Sequence, residues 1–100
     1  MNKINILKSK FLSLDQYQEL MSFCSSNLER ISNLAPSDND INIFIERTKN
    51  NKFKAIFKMA SINLSFKLQS LSMNPFMAVD MATSQALNLV KKWSANKQIL

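Results

Sequence analysis

Between residues 41 and 71 the chain adopts a two-residue hydrophobic rhythm, and no other feature constrains its fold as tightly. Three stretches carry it: Ile41-Asn42-Ile43-Phe44-Ile45, Phe53-Lys54-Ala55-Ile56-Phe57-Lys58-Met59 and Leu64-Ser65-Phe66-Lys67-Leu68. Successive side chains of an extended chain point to opposite sides, so each stretch reads as a strand with one buried face. The joints, Thr48-Lys49-Asn50-Asn51 and Ser61-Ile62-Asn63, are too short for a crossover helix. The block therefore predicts an antiparallel meander, with Asn standing in for Gly at the first turn.

Helix-period segments flank the block. Residues 3–8 read as a short first strand with Ile4 and Ile6 inward. Ser13-Leu14-Asp15-Gln16 is a capping box that opens a helix, with Asp15 and Glu19 near the positive end of its dipole. Tyr17, Leu20, Met21, Cys24, Leu28 and Ile31 follow at 3–4 spacing and form one stripe, and Ala35 to Asp40 makes a loop. Asn74-Pro75 opens a second helix, with Asn as N-cap and Pro at the first helical position. Its stripe is Phe76, Val79, Thr83, Ala86, Leu87, Val90 and Trp93. Two helices with one apolar stripe each, and a sheet with one apolar face, give a two-layer α+β domain of order β-α-β-β-β-α. Both helices then lie on one sheet face, and the other shows Asn42, Phe44, Glu46, Lys54, Ile56, Lys58, Ser65, Lys67 and Gln69.

Composition removes whole classes of chemistry. The 100 residues contain no glycine, which excludes phosphate-cradling loops, dinucleotide fingerprints and nucleophile elbows. Without histidine, Cys-His and Ser-His catalysis is also excluded. One cysteine and no histidine leave only carboxylates for a metal, so neither metal nor organic cofactor is expected, and the chain reads as no enzyme. Cys24 cannot pair internally and sits in an apolar stripe, as a buried thiol would. Asp38 and Asp40 read as loop-turn residues. The N-terminus lacks the apolar run of a signal peptide, and no stretch reaches the ~20 apolar residues of a membrane helix. A soluble cytoplasmic protein of one domain is the expectation. The net charge of +6 makes polyanions the first partner class to consider.

The element order, together with Asn74-Pro75-Phe76-Met77-Ala78-Val79-Asp80, resembles the bacterial ribosome hibernation promoting factor family. That family includes the ribosome-associated inhibitor (sigma-54 modulation) proteins. Phe76, Ala78, Val79 and Asp80 match the start of its last helix. Ile4-Asn5-Ile6 stands where its first strand does, and Ser13 to Ile31 where its first helix does. The resemblance spans roughly residues 3–97. It implies a short form with a double-stranded-RNA-binding-domain-like fold, lacking the extra dimerising domain of long members. It also implies binding to the small ribosomal subunit and its RNA, which silences or protects idle ribosomes. Family members usually carry Lys or Arg on both helices, at places matched here by Cys24 and Asn27, and by Gln85 and Asn88. Only Lys92, with Lys91 beside it, keeps the basic character.

Candidate RNA contacts fall in two clusters. Lys54, Lys58 and Lys67 share one sheet face by parity with Phe44 and Ile56, a combination suited to phosphates and stacked bases. Lys91, Lys92 and Lys97 crowd the end of the last helix, where they also suit its dipole. Lys8 and Lys10 flank the first strand and can join either cluster. No small-molecule substrate and no membrane are implied. The alternative reading is a protein-interaction or homodimerising module that has lost RNA binding and pairs through the exposed sheet face.

Overall fold

The structure is a computed structural model that describes residues 2–6 and 12–99, with side chains to Asn96. Its elements are β1 (Lys3–Ile6), α1 (Leu14–Leu34), β2 (Asp40–Arg47), β3 (Phe53–Ala60), β4 (Phe66–Ser72) and α2 (Pro75–Ile99). The sheet runs β1-β2-β3-β4; β1 is parallel to β2, and the other two pairs are antiparallel. The meander forms as the alternation predicts. The parallel first pair requires a crossover, and α1 supplies it. Lys8 and Lys10, at the predicted end of the first strand and beyond it, lie outside the described residues.

Each helix starts where its cap directs. The Ser13 amide donates to Gln16 Oε1 at 3.0 Å while the Gln16 amide donates to Ser13 Oγ at 3.1 Å, which closes the capping box. Asn74 Oδ1 accepts from the amides of Phe76, at 2.8 Å, and Met77, at 3.4 Å. The connection between β2 and β3 turns through Asn51 at φ 60, the one positive-φ residue among those described. Asparagine tolerates that region best after glycine, and its Oδ1 also accepts from Arg47 Nη2 at 3.1 Å.

The last strand, β4, differs from its sequence-based bounds. It begins at Phe66 rather than Leu64 and extends to Ser72. Ser65, expected on the open face, closes the turn instead: its hydroxyl donates to the Ser61 carbonyl at 2.9 Å and accepts from the Ser61 amide at 3.3 Å. Asp38 braces the same turn from the α1–β2 loop. Its carboxylate accepts from Ser61 Oγ and from the Ile62 amide, each at 2.9 Å. These bonds, the Ile62 amide foremost, hold the Asp38 carboxyl below its ordinary pKa.

The core lies between the helices and one sheet face. Ile41, Ile43 and Ile45 of β2 and Phe53, Ala55, Phe57 and Met59 of β3 are buried, joined by Leu20, Cys24 and Ile31 of α1. From α2 come Ala78, Val79, Ala82, Ala86 and Val90. Leu28 and Phe66 pack against this cluster partly buried. Ala78, Ala82 and Ala86 recur every fourth residue, and their small side chains let α2 lie close on β3 and β4. Phe23, outside the predicted α1 stripe, meets Phe76 edge to face at 5.9 Å and joins the two helices.

Phe57 is fully buried at the centre and its ring stacks on that of Phe66 at 5.9 Å. Phe57→Ala should lower unfolding free energy by about 3–5 kcal/mol in urea titration, since a core phenylalanine leaves a cavity. A loss below ~1 kcal/mol would contradict this placement. Because its folded-state pKa is depressed, the Asp38 brace contributes stability at neutral pH that is lost as pH falls through the carboxylate range. Asp38→Asn should therefore flatten the acid limb of a pH–stability curve, and an unchanged limb would show that the brace is silent.

Candidate nucleic-acid interface

The helices cover one face of the sheet and leave the other uncovered. Register places the outward residues in rows that cross the strands. Lys3 pairs with Asn42, Asn42 with Lys58 and Lys58 with Lys67. The next row is Asn5, Phe44, Ile56 and Gln69, and a third holds Glu46, Lys54 and Leu71. Neighbouring strands are about 4.8 Å apart, so Lys58 and Lys67 stand side by side as like charges, an arrangement that costs stability. Both are exposed, and they border a depression shared with Asp40, Asn42, Ser65 and Phe66. Phe44 is 37% exposed in the middle of the face. Lys54 is half-buried and faces Glu46 across the β2–β3 pair, so its charge is partly balanced.

The structure thus brings Lys54, Lys58, Lys67 and Phe44 onto one surface. Lys91 and Lys92 are exposed on α2, in the other layer, so the core separates the two lysine clusters. Lys97 lies in the last turns of α2, with its side chain outside the described residues. Lys3 and Asn5 complete the first two rows and were absent from the sequence-based candidates. Ile4 and Ile6 facing inward already turned them outward; what the sequence withheld was which strand β1 joins. Exposed Leu71, Met73, Met77 and Met81 were also not anticipated.

The helix positions expected to match RNA-facing basic sites divide in the structure. Cys24 is fully buried, so it cannot stand for a surface residue, and the matching by sequence is corrected there. Asn27 is half-buried and its Nδ2 donates to the Phe23 carbonyl at 2.9 Å. Gln85 and Asn88 are exposed on α2. Along α1 the charged residues are Asp15, Glu19 and Glu29 against the single Arg30, all exposed. That surface repels a polyanion; the open sheet face attracts one.

Among the described residues no three of His, Cys, Asp and Glu gather where they could hold a metal ion. Nor is any helix among them long and apolar enough to cross a membrane.

No family model matches the chain, and no curated protein matches it in sequence. Solved structures do match its fold. The N-terminal domain of Thermus thermophilus Protein Y superposes with a TM-score of 0.71 at 13% identity, over 93% of this chain and 99% of that one. A ribosomal subunit interface protein from Coxiella burnetii superposes with a TM-score of 0.67 at 15% identity, over 95% of this chain and 99% of that one. The chain therefore shares their α+β fold, the architecture that the sequence resemblance implied. Identity this low carries the fold alone.

Burial pushes the Cys24 thiol pKa up from its ordinary 9.0 to about 12. The folded protein should resist a polar thiol reagent at pH 8 and react once unfolded, and rapid labelling of the native state would refute this. An acid whose folded pKa is raised makes stability fall as pH climbs from about 9 toward 12, because the unfolded chain ionises first.

Proposed function

We propose that this chain is a single-domain, cytoplasmic ribosome-binding protein of the hibernation type. In this reading it occupies RNA of the small subunit, inactivates or protects idle ribosomes, and catalyses nothing. The observation that carries the proposal is a fold matching Protein Y and a ribosomal subunit interface protein, combined with lysines gathered on its one uncovered sheet face. The proposed RNA contacts are Lys54, Lys58 and Lys67 with Phe44; Lys91, Lys92 and Lys97 form a separate strip, and Lys8 and Lys10 can extend either.

Sedimentation of lysate through a sucrose gradient should place the protein with small subunits or whole ribosomes. Replacing Lys54, Lys58 and Lys67 together by Gln should weaken ribosome binding and lower its log–log salt slope by about 2–3, at roughly 0.7–0.9 per lost phosphate contact. Folding should change little, since all three lysines lie on the outer sheet face and surface substitutions usually stay within about 0.5 kcal/mol each. Unchanged affinity in the triple variant would move the contact to Lys91, Lys92 and Lys97. A protein that never sediments with ribosomes but forms a tight dimer would instead be the interaction module.

A further inference from the structure

The two central rows of the open face differ in chemistry in a way that selects among RNA forms. Lys3, Asn42, Lys58 and Lys67 cross all four strands in register, and Asn5, Phe44, Ile56 and Gln69 run parallel to them, offset by two residues on every strand. That separation is about 7 Å. The first row offers three cations, and neither row holds an acidic side chain. The second offers an exposed aromatic ring, an aliphatic neighbour that widens the apolar platform, and an amide at each end. Each amide carries both a donor and an acceptor, as the edges of bases require.

We propose that this face binds single-stranded RNA lying across the strands, with phosphates along the lysine row and bases over the Phe44 row. The inference takes RNA as the partner class from the proposed function and goes on to name its form, its direction and the stacking residue. A duplex hides its base faces in its own stack and reaches this surface only through phosphates, leaving the Phe44 row unused. A single strand can splay its bases onto the ring while its backbone follows the cations. A second copy of the chain fits less well. Lys3, Lys54, Lys58 and Lys67 outnumber Glu46 and Asp40 and leave the face net positive, so a copy would bring like charge to like. Glu46 stands in the third row, beyond Phe44, and Asp40 stands beyond the lysine row, so carboxylates flank the two central rows on either side.

Fluorescence titration of the full chain with a labelled oligouridylate of about ten nucleotides, within the usual span of such platforms, tests the proposal. A duplex of equal length serves as comparison. The single strand should bind at least about tenfold tighter than the duplex, because only it gains base stacking. Phe44→Leu keeps an apolar side chain suited to the strand and should weaken binding by about 5- to 150-fold while leaving the salt slope in place. Phe44→Trp should retain affinity. Lys58→Gln with Lys67→Gln should lower the slope by about 1.4, at roughly 0.7 per contact to a single strand. Thermal melts of each variant confirm folding.

Duplex binding equal to or tighter than single-strand binding would overturn the proposal. So would a Phe44→Leu variant that keeps its affinity, or one that changes only the solution mass from dimer to monomer. Co-sedimentation with ribosomes separates the two readings. Ribosome binding untouched by the Phe44 and lysine variants would overturn this inference and leave the proposed function standing. Single-strand binding through these rows by a protein that ignores ribosomes would support the inference and defeat the proposed function.

Discussion

One-sided burial of the sheet is the constraint from which the rest of this molecule follows. β1 and β2 are parallel neighbours, so the chain between them must cross over one face, and α1 is that crossover. Ile41, Ile43 and Ile45 then have a cover, and the meander continues the same inward parity through Phe53, Ala55, Phe57 and Met59. β4 hands the chain to α2 beside this half-covered surface, and the alanine seam at 78, 82 and 86 lets the helix settle onto it. Both helices are spent on one face. Among the described residues nothing covers the other face, so its side chains meet solvent or a partner.

This organisation was largely legible in the sequence because it depends on periodicity and capping, which are local. Ser13 with Gln16, and Asn74 with Pro75, fix both helix starts without reference to the rest of the chain. Parity within β2 and β3 assigns Ile43 and Phe57 inward and Phe44 and Lys58 outward with no tertiary information. The illegible parts are those set by partners distant in sequence. Ser65 continues the alternation of its stretch, yet its hydroxyl is worth more in closing the Ser61 turn than as one more outward residue. Phe23 falls outside the first helical stripe, but α2 brings Phe76 against it. Cys24 was aligned to a surface position by resemblance while its own 3–4 spacing with Leu20 and Leu28 placed it inside. The local physics was the better guide.

The candidate site shows the same division. Strand parity gathered Lys54, Lys58, Lys67 and Phe44 on one side before any register was known. Register added what parity cannot: Lys58 faces Lys67 directly, Lys54 faces Glu46, and Lys3 extends the first row through β1. Two lysines that look equivalent in sequence therefore differ in electrostatic setting. Lys54 sits opposite a carboxylate that lowers the local potential. Lys58 sits opposite another cation that raises it.

That like-charge pair runs against the local rules of sheet stability. Opposed lysines in adjacent strands destabilise a sheet by a few tenths of a kcal/mol, up to about 1, relative to neutral pairs. The exposed ring of Phe44 adds apolar surface that folding leaves uncovered. Neither choice serves the core, which is complete on the opposite face, and neither is forced by strand propensity, since threonine would satisfy the pleat at all three positions. Local rules broken without a structural return cluster where a surface has work to do. On α1 the corresponding surface obeys them: its outward side is polar, rich in serine, and its few charges are mostly carboxylates. Under the proposed function, the helices build the scaffold and the sheet meets the anion.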